Sequence, residues 1–335
     1  MIFKQVNKIL NNRYVTNQFL RNVNTETSAK VLYPLSSRAL LKIAGQDASA
    51  FLQGLITNDM THFEEGAKSM YAMFLNNKGR VLYDTLIHKW DTDESFLIEC
   101  DKKLITLLQK HLKIYKLKRK VEIVDVDKDF KTWVLIQPES NTLPQLKNNV
   151  NIYKDPRLAD LGYRIISSAD TKDSHIVDII GKDIVSKDNE DGYKYLRYKL
   201  GVSEGAEDLP PGTSFPLEAN CDYLHGVSFH KGCYIGQELT ARIHHTGVVR
   251  KRIMPVKFSQ SISEDIEKDS VISASNNPKS NFGKLKGVIN NYGIGLIRIK
   301  EALEAKVLMV GNYSVEVLKP AWWPLEAPKE IQKNE

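Results

Sequence analysis

One cysteine, Cys233, lies in a sequence context that favours reactivity. It directly follows Gly232, with Lys231 two residues before it and Gly236 three residues after it. Glycine has no side chain to shield its neighbour, so the thiol is expected at a surface. A nearby lysine favours the thiolate, which is the form that attacks electrophiles and binds metals. The alternative is a small buried hydrophobic residue, a common role for free cysteine.

A thiolate of this kind can act as a nucleophile or as one ligand of a metal shared with another protein. Four histidines lie within twelve residues of it in the sequence: His225, His230, His244 and His245. Histidine is a good metal ligand. The spacings are not those of a zinc module, and adjacent histidines would point apart in a strand, so packing roles are favoured over a metal site made by this chain alone.

The chain contains three cysteines, Cys100, Cys221 and Cys233, and no two of them form a CxxC pair. This sparse, odd set argues against a disulfide framework and suits a reducing compartment. It also argues against an iron–sulfur cluster held by this chain alone, because such clusters normally need four ligands.

Asp84 is the second candidate for chemistry. In an alternating strand, Leu82, Asp84 and Leu86 share one face, which places a carboxylate among apolar neighbours. A desolvated carboxylate has a raised pKa and can work as a general acid or base. The alternative is an edge-strand aspartate in solvent.

The run KGCYIGQELTAR at 231–242 resembles the signature of the YgfZ/GcvT-type folate-binding family, and the similarity covers most of the chain, from 35 to 324. The matching motif residues are Lys231, Gly232, Cys233, Tyr234, Gly236, Gln237, Glu238 and Arg242. Flanking similarity continues at 217–220, 226–229, 244–247 and 250–252. Within this family the chain is most similar to the mitochondrial branch, whose members assist late iron–sulfur cluster assembly.

The resemblance implies a matrix factor that helps to mature 4Fe–4S proteins, with A-type iron–sulfur scaffold proteins as partners. Cys233 would then supply a thiolate, as one ligand of a cluster shared between proteins or as a redox relay. A folate-type pocket would bind tetrahydrofolate or be a retained relic. A purely structural adaptor with an inert Cys233 is the weakest alternative.

A different hypothesis is a folate-dependent one-carbon or aminomethyl transferase whose chemistry centres on Asp84. The aminomethyltransferase branch of the family has a Gly-Gly-x-x-Asp-Asp run in the comparable strand. Here residues 79–84 read Gly-Arg-Val-Leu-Tyr-Asp, so Tyr83 breaks the acidic doublet. An assembly factor is therefore favoured over a catalyst with turnover.

A bound folate would need a slot for the pterin ring, polar anchors, and cations for its carboxylates. The candidate slot residues are Tyr71, Phe74 and Tyr83. The candidate polar anchors are Asp84, Glu204 and Glu218. The candidate cations are Arg197, Arg242, Lys251 and Arg252. Each of these could equally be a core aromatic residue or a surface charge.

The net charge of +6 is uneven, because the first 25 residues contain four cations and no acid. This basic, amphipathic start predicts a mitochondrial transit peptide over 1–30 and hence a matrix location; an ordinary basic terminus is the alternative.

The basic run at 113–120 could suggest nucleic acid, but cations are favoured at helix C-termini and the remaining chain is nearly balanced, so no nucleic acid is expected. No apolar run is long enough to span a membrane.

The length of 335 residues allows two or three domains. Strands at 71–75 and 80–90 are predicted to flank a turn at 76–79, and mixed helices and strands continue to 202, which favours α+β layers of ferredoxin-like type. The family resemblance divides the same chain into a GcvT-like region at 31–247, with two α+β subdomains in a ring arrangement around a folate-sized opening. An antiparallel β-barrel is predicted at 248–325 and a flexible tail at 326–335. The predicted barrel strands are 253–258, 270–274, 284–290, 294–299 and 313–318.

Overall fold

The structure is a computed structural model that describes residues 30–92, 94–137, 150–181, 183–262, 266–305 and 307–324. The predicted leader, apart from its last residue, and the predicted tail lie outside the described residues. The described chain forms two five-stranded sheets and one closed barrel. Within these ranges no helix combines the length and the apolar character needed to cross a bilayer.

The first sheet is antiparallel, with the strand order β3-β4-β5-β2-β6. Its strands are β2 (Arg38–Ala44), β3 (Ser69–Leu75), β4 (Val81–Lys89), β5 (Ser95–Asp101) and β6 (Glu122–Asp125). The helices in this part of the chain are α1 (Ala48–Gln53), α2 (Thr61–Glu64) and α3 (Ile105–Lys116), with a 3-10 turn at Lys102–Leu104. These helices cover one face of the sheet, and their apolar side chains form the largest core with it.

The second sheet has the order β10-β1-β7-β9-β8, and its β1–β10 pair is parallel. Its strands are β1 (Lys30–Pro34), β7 (Phe130–Ile136), β8 (Val150–Lys154), β9 (Tyr163–Ser168) and β10 (Ile184–Ser186). The accompanying helices are α4 (Asp173–Ile180), α5 (Asp191–Leu200) and α6 (Gly205–Asp208), with a 3-10 turn at Ala159–Leu161. The first strand of the described chain thus completes the second sheet, which ties the two α+β layers together.

The third unit is a closed antiparallel barrel in the order β11-β14-β13-β12-β15-β16. Its strands are β11 (Lys251–Phe258), β12 (Val271–Ala274), β13 (Gly283–Ile289), β14 (Tyr292–Arg298), β15 (Leu308–Val310) and β16 (Tyr313–Val317). Helix α7 (Gln237–Thr246) precedes the barrel, and α8 (Ile299–Glu304) lies between two of its strands. The predicted α+β fold class with a C-terminal antiparallel barrel is confirmed. The short β15 was not predicted, because three residues show no measurable alternation.

The inner faces of the two sheets meet through a small apolar cluster. Leu40 and Leu97 from the first sheet pack with Tyr153 and Ile166 from the second. Beside this cluster, the same interface buries a set of charged side chains. The helix α5 packs on the barrel through Tyr198, which joins the second unit to the third.

The start of the first helix lacks the usual side-chain cap, although an aspartate precedes it. Asp47 makes no side-chain capping hydrogen bond, and its Oδ2 instead accepts from the backbone N of Lys120 at 2.7 Å. The helix ends at Gln53, so Leu55 and Ile56 are buried in the turn that follows. A long-range contact therefore overrides the local capping preference at this position.

Candidate functional site

The loop that carries Cys233 is anchored through Lys231. The Lys231 Nζ donates to the carbonyl oxygens of Gln53 at 2.7 Å, Ile56 at 2.9 Å and Asn58 at 2.5 Å. These carbonyls lie at and after the C-terminal end of α1, where helix carbonyls lack intrahelical partners. An ammonium group has three protons, and all three are used here. Lys231 therefore positions the loop. From the sequence, its expected role was to favour the thiolate form of Cys233.

Burial lowers the pKa of Lys231 to about 8, while the nearby Asp59 carboxylate acts in the opposite direction. The ammonium also lies 5.1 Å from the centre of the Tyr234 ring. Below that pH the group keeps the third proton that its three carbonyl partners require. The anchor is thus complete at neutral pH.

The other side of the loop is held by Tyr234 and Gly236. Tyr234 is buried, and its backbone N donates to Oε1 of Gln237, the first residue of α7, at 2.9 Å. Gly236 has a φ of 78°, and an added Cβ would lie 2.3 Å from the carbonyl oxygen of Asn76 in the β3–β4 turn. Only glycine fits this left-handed position against another backbone.

Between these anchors, Gly232 and Cys233 are exposed. A Cβ added to Gly232 would meet no atom within 4 Å, and its φ is not positive. The fold of this chain therefore gives no reason for a glycine at that position. What its small size provides is open backbone beside the thiol, where another surface can approach closely.

The two motif glycines are expected to respond differently to alanine. Gly236→Ala should lower the free energy of unfolding by about 3 kcal/mol, because it combines a left-handed φ with a backbone clash. Gly232→Ala should change it by less than about 0.5 kcal/mol, as an exposed surface substitution does. Urea unfolding of both variants measures the difference, and equal losses would contradict this placement of the loop.

Two of the four histidines near the motif, His244 and His245, make ring contacts in the structure, whereas His225 and His230 are exposed. The Phe229 ring stacks on His244, with 3.5 Å between ring centres and 7° between planes. His244 and His245 lie in the last turn of α7, whereas a strand had been considered. Within the described ranges no three His, Cys, Asp or Glu side chains converge on a possible metal position. A cluster bound at Cys233 would thus need ligands from outside the described residues.

Glu238 and Arg242 belong to the motif but lie beyond the cysteine loop. They are four residues apart on the exposed side of α7, which begins directly after the loop. Side chains at this spacing are neighbours on a helix surface. They extend the exposed motif surface away from Cys233.

Asp84 lies on β4 at the interface between the sheets and is 3% exposed. Its Oδ1 accepts from the backbone N of Gly205 at 3.0 Å, and its Oδ2 lies 3.7 Å from Nη1 of Arg38 without a hydrogen bond. Burial raises the pKa of Asp84, and the Arg38 cation opposes that shift. The carboxylate is thus desolvated rather than placed in solvent.

Asp84 belongs to a buried charge network of four arginines and five acids. Its members are Arg38, Arg157, Arg164, Arg197, Asp84, Glu99, Asp155, Glu204 and Asp208. Each arginine can be assigned one close acid, which leaves Asp84 as the fifth acid. The four pairs are Arg38–Glu99, Arg157–Asp155, Arg164–Glu204 and Arg197–Asp208. Burial raises the pKa of Asp84, because it disfavours the charged form of that carboxyl.

Glu204 is the centre of the buried charge network. Its Oε2 lies 2.8 Å from Nη2 of both Arg157 and Arg164 and accepts from the Tyr193 hydroxyl at 3.0 Å. Burial alone would raise the pKa of Glu204, but the guanidinium groups of Arg157, Arg164 and Arg197 hold it well below its usual range. This acid is therefore an ionised internal anchor.

The predicted folate-binding residues do not meet in one place. Tyr71 lies near Asp84, with its hydroxyl free of hydrogen bonds and its ring 5.6 Å from the Arg157 guanidinium. Tyr83 faces the other side of the sheet, where its ring lies 5.7 Å from that of His111 on α3. A single slot lined by both tyrosines is therefore not present on this sheet.

Arg197 and Glu218, two further candidates, bind other parts of the chain. Arg197 donates to the Val202 carbonyl at 3.1 Å and to Asp208 at 2.8 Å. Glu218 accepts from the backbone N of Phe215 at 3.4 Å, and burial raises its pKa. These contacts tie loops to the core.

A cavity of about 320 Å³ is lined by Arg197 and Glu204 but not by Tyr71, Asp84 or Glu218. Arg197 and Glu204 are already paired with protein groups. The residues predicted to hold tetrahydrofolate therefore do not line this cavity together, and as a set they do not fit a bound folate.

Arg252, another predicted cation, is also structural. It forms a bidentate salt bridge with Asp222, with N–O distances of 2.8 Å and 2.9 Å, and donates to the Leu217 carbonyl at 2.8 Å. Its guanidinium lies 3.9 Å from the centre of the Tyr223 ring. These contacts fasten the segment before the motif to the barrel.

Asn58 connects the cysteine loop with the buried interface. Its carbonyl accepts from Lys231, and its Nδ2 donates to the carbonyls of Tyr71 and His225 at 2.8 Å each. Tyr71 in turn lies against the buried charge network. The loop is thus tied by hydrogen bonds to buried parts of the first sheet, which favours a fixed presentation of Cys233.

Comparison with known proteins identifies two domain families. Residues 5–155 match the GCVT N-terminal domain, and residues 250–325 match the CAF17 C-terminal beta-barrel domain. A crystal structure of glycine cleavage system aminomethyltransferase T from Bartonella henselae has the same fold, with a TM-score of 0.69 and 12% identity over 88% of this chain and 86% of that one.

Two curated relatives are similar over nearly the whole chain. The mitochondrial iron-sulfur cluster assembly factor IBA57 of Mus musculus is 36% identical over 320 residues, covering 88% of this chain and 86% of the relative. The Homo sapiens protein of the same name is 36% identical over 321 residues, covering 90% and 87%.

Proposed function

Because the chain belongs to the IBA57 family of mitochondrial iron–sulfur cluster assembly factors, we propose that it helps to mature 4Fe–4S proteins in the mitochondrial matrix. The observation that carries the proposal is the exposure of Cys233 on a loop anchored on both sides. Its two other cysteines, Cys100 and Cys221, are buried, and burial raises the pKa of both thiols. Cys233 is the thiol that another protein can reach.

Cys233 supplies one thiolate ligand to a cluster that passes through the protein as cargo. One thiolate cannot hold a cluster, so the other ligands come from the partner, for which an A-type iron–sulfur scaffold protein is proposed. The anchored loop favours this role, because a preorganised ligand loses little conformational freedom on binding. The open backbone at Gly232 gives the partner close access to the sulfur.

The buried charge network acts as internal support in place of a folate site. Most of its acids pair with its arginines, and the proposed folate residues lie on two faces of the first sheet. Tyr71 connects the network with the cysteine loop, because its carbonyl accepts from Asn58 at the base of the loop and its ring contacts Arg157. We therefore assign no step of the function to tetrahydrofolate.

A folate-dependent one-carbon or aminomethyl transferase is the second candidate. It is favoured by one observation, the buried Asp84 carboxylate with its raised pKa and its Oδ2 free of hydrogen bonds. Such a group can accept or donate a proton. Against it stand the paired state of Glu204 and the placement of Asp84 and Tyr83 on opposite faces of the sheet.

A rescue experiment separates the two candidates. In cells lacking the protein, Asp84→Asn should restore the activity of 4Fe–4S enzymes to within about twofold of wild type, because Asn retains the Gly205 hydrogen bond and such a change costs about 1 kcal/mol. Cys233→Ala should fail to restore it. The activities of 2Fe–2S enzymes serve as the control and should stay constant.

The opposite pattern would support the transferase. Loss of rescue with a folded Asp84→Asn, together with full rescue by Cys233→Ala, would contradict the assembly role of the thiol. A transferase that lost its general acid or base would slow by about a hundredfold or more. Protein abundance and thermal midpoint are measured for both variants so that misfolding is not mistaken for lost function.

A further inference from the structure

Helix α3 has a second apolar face that points away from the core. Its inner side chains Ile105, Leu108 and Leu112 are buried in the first sheet's core. On the outer side, Leu107 is 51% exposed and Ile114 is 69% exposed. These two residues are seven apart, which places them on the same side of a helix. A helix of a protein that contacts only water normally carries polar residues there.

The surroundings of this outer face are strongly cationic. Residues 102–120 contain no acid and eight cations: Lys102, Lys103, Lys110, Lys113, Lys116, Lys118, Arg119 and Lys120. Of these eight cations, Lys102 is the one that forms a salt bridge with another described residue, Asp127, at 2.9 Å. A favourable helix C-terminus does not account for the whole run, because α3 ends at Lys116 and the cations continue beyond it.

Leu117, the residue after α3, adds an independent observation. It is 85% exposed and has φ 48° and ψ −121°. A positive φ is unfavourable for a residue with a large side chain, and exposure brings no compensating burial. Strained residues of this kind persist mainly where they serve a function. Here the strained turn holds an apolar side chain in solvent among cations.

We propose that this basic apolar surface, formed by the outer side of α3 and residues 117–120, docks the protein on an anionic phospholipid bilayer. The three apolar side chains enter the boundary between head groups and acyl chains, and the surrounding cations meet lipid phosphates. A nucleic acid would use the cations but gives no reason for the exposed apolar side chains. The combination of both therefore favours a lipid surface.

Vesicle flotation with the full-length protein tests this proposal. Vesicles of phosphatidylcholine with cardiolipin should carry the protein upward, vesicles of phosphatidylcholine alone should not, and added salt should weaken the binding. Leu117→Asn should reduce partitioning about tenfold, because it removes an apolar insertion. Its thermal midpoint should stay constant or rise, because Asn tolerates a positive φ.

The charge contribution is tested with Lys113→Gln and Lys118→Gln, each of which should reduce partitioning about fivefold. The matched controls are Leu303→Asn and Lys300→Gln, which change an exposed leucine and an exposed lysine on α8. Both controls should bind vesicles as wild type does. No flotation with anionic vesicles at low salt would overturn the proposal. Binding that is weakened by the lysine variants but not by Leu117→Asn would also overturn it, in favour of a purely electrostatic partner such as nucleic acid.

Discussion

Glu204→Gln is expected to lower the free energy of unfolding by about 3–5 kcal/mol, which is the usual effect of removing one partner from a buried ion pair. The substitution leaves Arg157, Arg164 and Arg197 buried with one counter-charge fewer. A glutamine can still accept a hydrogen bond, but it cannot neutralise a guanidinium. Urea unfolding monitored by circular dichroism measures the loss.

Glu207→Gln is the matched control for this prediction. Glu207 lies on α6, the short helix that begins directly after Glu204, but its side chain is 57% exposed and pairs with Lys194 at 2.7 Å. An exposed pair of this kind contributes less than about 1 kcal/mol. If the two variants lost the same stability, the buried charge network would not be the internal support proposed for it.

The pH dependence of the Glu204 effect has a defined sign. The folded-state pKa lies well below the ordinary value of 4.5, so the stabilising contribution is fully present above that value. It is lost as the pH falls from there through the folded-state pKa. The stability difference between wild type and Glu204→Gln should therefore be constant at neutral pH and shrink on acidification.

Cys233→Ala is expected to abolish the cluster-bearing complex with an A-type scaffold protein while leaving the stability of the free protein unchanged within about 0.5 kcal/mol. The thiol is exposed, so its removal creates no cavity. Its loss removes one cluster ligand that alanine cannot replace. Size-exclusion chromatography with visible absorbance reports the complex and its cluster together.

Cys221→Ala provides the control for sulfur chemistry elsewhere in the chain. Cys221 is fully buried, so this variant should lose some stability and keep the cluster-bearing complex. A complex that forms equally with Cys233→Ala and retains its cluster absorbance would contradict a ligand role. A complex that forms without any cluster, in wild type and variant alike, would support the structural adaptor instead.

Local signals in the sequence were sufficient for much of the fold. The Asn-Asn-Lys-Gly turn at 76–79 and the alternation around it predicted β3 and β4 close to their observed bounds. The membership of β1 in the second sheet could not be predicted. It depends on pairing with residues 133–136 of β7, which lie about a hundred positions further along the chain. Strand periodicity identifies a strand but not its partner.

The candidate site was predictable only in its exposed part. Glycine next to Cys233 predicted an accessible thiol, and the structure places it in solvent. The partners of Lys231 lie more than 170 residues earlier in the chain, so its anchoring role left no local trace. The buried charge network was missed for a related reason. Arg157 and Arg164 look like surface residues in sequence, since charged side chains are rarely buried unless paired.

The most direct test of the shared-ligand role is thiol alkylation mapped by mass spectrometry, comparing the free protein with its cluster-bearing complex. Cys100 and Cys221 are internal controls, because both are buried and should stay unmodified in each sample. Cys233 should be alkylated in the free protein, protected in the complex, and reactive again after a chelator removes the cluster. Equal alkylation of Cys233 in the free protein and in the cluster-bearing complex would show that its sulfur does not bind the cluster.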